Sequence, residues 1–193
     1  MKYKLSYTAA SLRIHDTLLV AEAMQKNNFE NIDQQIGNGK TSTGMRVRKE
    51  LVKRLNNLTE PQLNYLLDAG IDNAKKMTFV AVCKTYAYIY EFVVEVLGEK
   101  MINLDYHIRE ADYLMFFNRK AELHPELEKL AETSAYKIKQ VLFRMLEETG
   151  FINSVRYRML QPQYIPHSME TLIREDDPNL LRIFFIKDEV LNQ

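Results

Sequence analysis

The sequence contains few residues of the types that interrupt helices or cross-link a chain: among 193 residues there are 6 glycines, 5 prolines and 1 cysteine. Strand-like alternation of apolar and polar residues is also scarce, so the composition favours an all-α protein. The lone cysteine, Cys83, excludes an intramolecular disulfide and a four-cysteine zinc site, and it fits a reducing cytoplasm. The first residues lack the apolar run of a secretory signal, which agrees with a cytoplasmic location.

The chain also lacks an excess of charge of either sign, because 26 lysines and arginines balance 26 aspartates and glutamates. This neutrality argues against a histone-like protein that coats DNA by bulk charge. The charge is unevenly distributed, since residues 1–57 carry 10 basic and 5 acidic side chains, whereas residues 58–193 carry 16 basic and 21 acidic ones. Such asymmetry between the two parts of a chain points to an interaction surface.

One apolar run, residues 77–97, has the length of a membrane span. Three charged residues, Lys84, Glu91 and Glu95, interrupt it. Each of these charges costs about 2.5–3.5 kcal/mol near the centre of an inserted helix, which outweighs the gain from the apolar residues. The run therefore predicts the central helix of a soluble bundle, surrounded by other helices on nearly all sides, and no contact with a membrane.

Most of the excess positive charge lies in residues 39–55, which hold six basic residues and one acid. Apolar residues recur there at helical spacing, so the pattern predicts a helix over 43–56 with Ser42 or Thr43 as its N-cap. Its basic side chains fall mostly on the outward face, which suits a phosphate backbone, although a solvated surface helix shows the same pattern. The candidate DNA-binding residues of this segment are Lys40, Ser42, Thr43, Arg46, Arg48, Lys49, Lys53 and Arg54.

Capping and stop signals predict further helices, including a long central one, over 16–26, 28–36, 59–70, 72–97, 110–121, 125–131 and 133–150. The basic helix and the helix over 59–70 are joined by a tight turn, so they have the layout of a helix-turn-helix, which ordinary αα-hairpins share. We expect either one domain or two subdomains that share a core. The two would be an N-terminal helical part over 1–70, which includes the basic helix, and a helical core with a C-terminal hairpin and tail over 71–193.

Residues 151–166 differ from the rest of the chain and predict a small β-hairpin. A helix followed by a hairpin is the layout of a winged helix, and this hairpin carries Arg156 and Arg158. These two arginines form a second, weaker candidate for contact with DNA, in which a wing reaches a neighbouring groove.

Sequence motifs for catalysis or metal binding are lacking. The loop over 37–41 resembles part of a phosphate-binding P-loop, but Gln34 stands where that motif requires glycine, and no buried strand precedes it. The loop could still place one DNA phosphate at the N-terminus of the basic helix. The four histidines, which are His15, His107, His124 and His167, form no metal-ligand pair. We therefore expect no enzyme, no metal, no cofactor and no small-molecule substrate.

Several blocks of the sequence together resemble one known family. They are residues 3–8, 81–86, 91–97, 116–120, 124–127, 139–146 and 176–178, with Leu181. In these blocks the chain resembles the BrxA family, small accessory proteins of BREX (bacteriophage exclusion) defence systems, over nearly its full length. The resemblance implies an all-helical cytoplasmic protein that binds double-stranded DNA beside a methyltransferase, a large ATPase and a phosphatase-like protein. It transfers no catalytic or DNA-contact residue, because the shared blocks are mostly helix-packing residues.

The leading hypothesis is thus a non-enzymatic, double-stranded-DNA-binding accessory component of a BREX system. The alternative is a protein-interaction adaptor that assembles other BREX proteins without touching DNA. In that alternative the acidic C-terminal part and the apolar residues 183–186 dock onto another defence component, and the basic helix meets an acidic partner.

Overall fold

The computed structural model describes residues 2–186, which fold into eleven α-helices. These are α1 (Ile14–Lys26), α2 (Ile32–Ile36), α3 (Thr41–Leu55), α4 (Glu60–Asp68), α5 (Ile71–Thr85), α6 (Ala87–Glu91), α7 (Gly98–Ile102), α8 (Glu110–Leu123), α9 (Pro125–Glu128), α10 (Glu132–Thr149) and α11 (His167–Asp176). A π-helix, Phe92–Leu97, lies between α6 and α7, and 3₁₀ turns cover Ser6–Ala9 and Pro178–Phe184.

Helix α5 forms the centre of the fold. Every side chain from Met77 to Cys83 is buried, and α5 packs against α1, α3, α4 and α10. A helix that is enclosed on all sides needs no polar face, which explains the long apolar run in the sequence. Within residues 2–186 no helix has the length and apolar character that crossing a bilayer requires. One hydrophobic cluster includes side chains from both sides of residue 70, and the division there stays a prediction.

The single long helix predicted over 72–97 is wrong, because the chain leaves helical geometry at Tyr86. This residue has extended dihedral angles (φ −129°, ψ 92°) and separates α5 from α6. Its ring is fully buried and its hydroxyl donates a hydrogen bond to Glu50 on α3. A tertiary partner on a distant helix therefore stabilises the break, and such a partner leaves no trace in the local pattern.

The β-hairpin predicted over 151–166 is also wrong, and with it the winged-helix layout. Within the described residues there is no strand; the β-pairing consists of two isolated antiparallel bridges, His107 with Met159 and Ile152 with Leu160. The segment pairs partly with the loop before α8, since the Leu160 amide donates to the Tyr106 carbonyl (2.7 Å) and the Ile108 amide donates to the Arg158 carbonyl (3.0 Å). Arg158 itself has a left-handed conformation (φ 50°), which interrupts an extended strand.

Helices α3 and α4 are joined by a short turn, and the start of α4 follows the predicted chemistry. The Thr59 hydroxyl accepts a hydrogen bond from the Gln62 amide, and the Gln62 side chain accepts one from the Thr59 amide. This reciprocal capping box satisfies two amides at the helix start. Helix α3 packs mainly on α2, α1 and α5, whereas α4 packs on α5, α1 and α11. A helix-turn-helix role for the pair stays a prediction.

Candidate nucleic-acid interface

Helix α3 begins at Thr41, two residues earlier than predicted. The N-cap residue is Lys40, and no side chain caps the helix, so neither Ser42 nor Thr43 has that role. The first backbone bond of the helix runs from the Gly44 amide to the Lys40 carbonyl (3.0 Å). The amides of residues 41–43 are therefore free to bind a ligand at this exposed helix end.

The inner face of α3 is fixed by close packing. Val47, Leu51 and Leu55 are at most 2% exposed and join the hydrophobic core. At Gly44 the backbone approaches α2 so closely that a Cβ atom would overlap the carbonyl oxygen of Asp33. Because this face is held in place, the orientation of the opposite face is determined as well.

The outer face of α3 presents a row of polar side chains, Ser42, Arg46, Lys49 and Lys53, which we call the cationic stripe. The spacings of four, three and four residues place them on one side of the helix. From Ser42 to Lys53 the helix rises about 16 Å. Arg46 and Lys49 are exposed and, like Lys40 just before the helix, have no carboxylate within salt-bridge distance anywhere in residues 2–186. Their charges are thus available to an anionic partner.

Lys53 is half-buried at the end of the stripe and has neutral neighbours. Its ammonium donates to the Ser6 hydroxyl (2.8 Å) and the Tyr86 hydroxyl (3.2 Å), and it lies 4.8 Å from the centre of the Tyr86 ring. These contacts hold the side chain in place without neutralising it, so Lys53 still contributes positive charge to the stripe.

Arg48 lies on another side of α3 and is paired. Its guanidinium donates to both carboxylate oxygens of Asp33 (2.7 and 3.2 Å) and lies 5.2 Å from the centre of the Phe29 ring. The hydrogen bond from Arg48 to Asp33 is the main cause that raises the pKa of Arg48. The predicted phosphate contact of Arg48 would have to compete with this bidentate pair, so we assign Arg48 to the α2–α3 packing.

Arg54 is a core residue, contrary to the outward position predicted for it. It is 1% exposed and donates to the Glu50 carboxylate (2.7 Å). Its remaining donors reach three backbone carbonyls, which belong to Tyr7 (3.3 Å), Ala10 (2.7 Å) and Ser11 (2.7 Å). Arg54 therefore ties α3 to the N-terminal segment and is not available to a phosphate. Sequence reasoning missed this pairing, although an acid four residues before a basic residue is a known sign of one.

The second predicted set, Arg156 and Arg158, does not form a wing. The Arg158 guanidinium donates to Glu110 (2.9 Å) and lies 4.2 Å from the centre of the Phe143 ring, so its main contacts are within the protein. Arg156 is exposed, and its guanidinium lies 5.2 Å from the centre of the Tyr157 ring. No hydrogen bond, ion pair or ring contact of Arg156 or Arg158 within residues 2–186 involves a residue of the cationic stripe.

Residues 183–186, which the adaptor hypothesis makes a docking segment, pack against the rest of the protein. Ile183 and Phe184 are at most 3% exposed, and the Phe185 ring meets the Phe151 ring edge-to-face with the ring centres 5.8 Å apart. Residues 183 and 184 cannot dock onto a partner without leaving the core. The acidic tail residues beyond 186 lie outside the described residues.

The thiol of Cys83 is buried in α5, and this burial raises its pKa well above the ordinary value. A thiol with a raised pKa is a poor nucleophile. Within residues 2–186 no group of three or more histidine, cysteine, aspartate or glutamate side chains is arranged to hold a metal ion.

The fold and the surface together describe an all-helical protein with one exposed cationic face on α3. A family model described as BrxA matches residues 1–177, and the chain belongs to the BrxA family. Two curated relatives are each named BREX protein BrxA. The protein from Bacillus cereus (strain H3081.97) is 26% identical over 108 residues, which is 56% of this chain and 54% of that relative. The protein from Escherichia coli O9:H4 (strain HS) is 24% identical over 143 residues, which is 74% of this chain and 67% of that relative.

A solved structure has the same fold. It is the crystal structure of an uncharacterized protein from Magnetospirillum magneticum, with a TM-score of 0.82 and 16% sequence identity. The match covers 95% of this chain and 98% of that one. At this identity the likeness concerns the fold alone.

Proposed function

We propose that this protein is a non-enzymatic accessory component of a BREX system that binds double-stranded DNA through the cationic stripe. Membership of the BrxA family supports the place among BREX proteins, which are the protein partners that we expect. The observation that carries the DNA-binding proposal is that Arg46 and Lys49 are exposed side by side on one helix face without a carboxylate partner among the described residues.

The length and chemistry of the stripe suit a phosphate backbone. Between Arg46 and Lys53 the helix rises about 10 Å, a distance over which duplex DNA presents several charges, at about one per 1.7 Å of axis. The free amides at residues 41–43 and the Ser42 hydroxyl can donate hydrogen bonds to one further phosphate. Contacts of this kind fix the position of a protein on DNA but do not read its bases, so we expect weak sequence preference.

The test is a salt titration of binding to a short random-sequence duplex, followed by fluorescence anisotropy of the labelled DNA. Four available cations, which are Lys40, Arg46, Lys49 and Lys53, predict a log–log slope near −3.6, from about −0.9 per phosphate. The variant Arg46→Gln/Lys49→Gln should reduce that slope to about −1.8 and weaken binding at every salt concentration.

The matched control is Lys2→Gln/Lys129→Gln, which removes two exposed lysines that likewise lack a carboxylate partner among the described residues and that lie together beside α9. This variant should keep the wild-type slope. An equal loss in both double variants would mean that the DNA senses only net charge, and the stripe would then not be the site. If the wild-type protein does not bind the duplex at all, the adaptor hypothesis becomes the better one.

A further inference from the structure

Two exposed tyrosines in the C-terminal half of the chain each lie beside a cation. Tyr136 at the start of α10 is 61% exposed, and the Lys139 ammonium lies 5.6 Å from the centre of its ring. Tyr157 in the loop after α10 is 59% exposed, and the Arg156 guanidinium lies 5.2 Å from the centre of its ring. A tyrosine ring that is open to solvent beside a cation is available to stack on a ligand that carries negative charge.

Two ion pairs to one carboxylate connect the segments that carry the two tyrosines. The Lys139 ammonium donates to one carboxylate oxygen of Glu110 (2.6 Å), and the Arg158 guanidinium donates to the other (2.9 Å). Arg158 directly follows Tyr157 in the chain, and Lys139 lies one helical turn after Tyr136. Both cations lower the pKa of Glu110, so this carboxylate is ionised and keeps the two elements together. We call the surface the tyrosine surface (Tyr136, Lys137, Lys139, Arg156, Tyr157 and Arg158).

The tyrosine surface carries net positive charge. Glu110 is the one carboxylate that pairs with it among the described residues, and it is shared by two cations. Lys137 and Arg156 are exposed and have no carboxylate partner in the part of the chain that the structure describes. An incoming polyanion would therefore find two uncompensated charges next to two open rings.

We propose that the tyrosine surface binds single-stranded nucleic acid, with unpaired bases stacked on Tyr136 and Tyr157 and with phosphates held by Lys137 and Arg156. Every base has a face that can stack on an aromatic ring, and cationic grooves with exposed aromatics bind single strands in this way. Duplex DNA offers no free base face, so the two rings would gain nothing from it. This surface shares no residue with the cationic stripe, and the proposal does not depend on duplex binding.

The chain has no tryptophan, which makes a direct test of stacking possible. In the variants Tyr136→Trp and Tyr157→Trp the introduced indole is the sole tryptophan, and a stacked base should quench its emission. We expect quenching upon addition of oligothymidylate and no quenching with an abasic oligomer of the same length, which has the same phosphates without bases. Oligouridylate, in a parallel titration, shows whether the surface prefers DNA or RNA.

A second measurement compares affinities by anisotropy. Tyr136→Ala/Tyr157→Ala should bind oligothymidylate at least ~25-fold more weakly, because each of the two lost base stacks is worth a factor of about 5 or more. Tyr136→Phe/Tyr157→Phe, which keeps the rings, should bind like the wild-type protein. Arg46→Gln/Lys49→Gln should weaken duplex binding and leave the quenching of either indole by oligothymidylate in place, so the failure of one site can be distinguished from the failure of the other.

The proposal is overturned if the abasic oligomer binds as tightly as oligothymidylate or if neither indole is quenched at saturating oligonucleotide. It is also overturned if the double alanine variant, with a wild-type circular dichroism spectrum, keeps its affinity. Both tyrosines are surface residues, so these variants should fold.

Discussion

The substitution Arg54→Ala separates a structural arginine from the DNA-binding residues around it. Arg54 is 1% exposed and its partner Glu50 is 6% exposed, so the ion pair lies in the core between α3 and the N-terminal segment. Removal of the guanidinium would leave a buried carboxylate whose remaining partner is the Tyr86 hydroxyl, and it would strip three backbone carbonyls of a donor. Loss of one member of a buried pair costs about 3–5 kcal/mol.

This cost can be measured by urea unfolding followed by circular dichroism. For a slope of about 2 kcal/mol/M, typical of a domain of this size, the midpoint should fall by about 1.5–2.5 M urea. Arg46→Ala and Lys49→Ala, on the exposed face of the same helix, should change the free energy of unfolding by less than about 0.5 kcal/mol. We therefore expect a large loss of unfolding free energy at the buried Arg54 and almost none at the exposed Arg46 on the same helix.

A double variant tests the reason for the cost. In Glu50→Gln/Arg54→Met both charges disappear and the volume is nearly kept, so no unpaired charge remains in the core. Its loss of unfolding free energy should be smaller, by about 1–3 kcal/mol, than the sum of the losses in Glu50→Gln and Arg54→Met measured singly. The reasoning is refuted if Arg54→Ala unfolds within about 0.5 kcal/mol of the wild-type protein, or if it weakens duplex binding while stability is unchanged.

Two further substitutions test other parts of the fold. Gly44→Ala should lower the free energy of unfolding by about 1–3 kcal/mol, because its Cβ meets the backbone of Asp33 and α2 has to move. The control is Gly98→Ala, in which the nearest described neighbour of the new Cβ is 3.7 Å away, so this variant should be neutral or stabilising in the same urea assay. Asp105 accepts hydrogen bonds from Lys100 (2.8 Å) and Arg109 (2.7 Å), which hold its pKa far below the ordinary value. The resulting stability is present above a pH of about 3.9 and is lost as the pH falls below it. The difference in urea midpoint between the wild-type protein and Asp105→Asn should therefore shrink on acidification, and a constant difference would contradict this assignment.

The all-helical class and most helix positions could be predicted because they depend on local signals. The capping box at Thr59 and the stop at Gly150, which is left-handed (φ 88°), are encoded within a few residues. The helix break at Tyr86 could not be predicted in this way, because the Glu50 carboxylate that accepts the hydrogen bond of the Tyr86 hydroxyl is distant in sequence. The same holds for the segment over 151–160, which has the composition of a strand but divides its hydrogen bonds among α10, its own residues and the loop before α8.

The sequence predicts which residues of α3 are exposed cations better than it predicts which of its cations are paired. A helical pattern identifies α3 as basic and places Arg46 and Lys49 on its outer side, where the structure also has them exposed. It does not show that Arg48 is matched by a carboxylate, because Asp33 lies on another helix. The spacing of Glu50 and Arg54 indicates their ion pair but not its burial in the core. Each such pair removes one cation from the charge that a polyanion can meet. The steepness of the salt dependence therefore counts Lys40 and the unpaired cations of α3, and a slope nearer −5.4 than −3.6, from about −0.9 per phosphate, would mean that these pairs open on DNA.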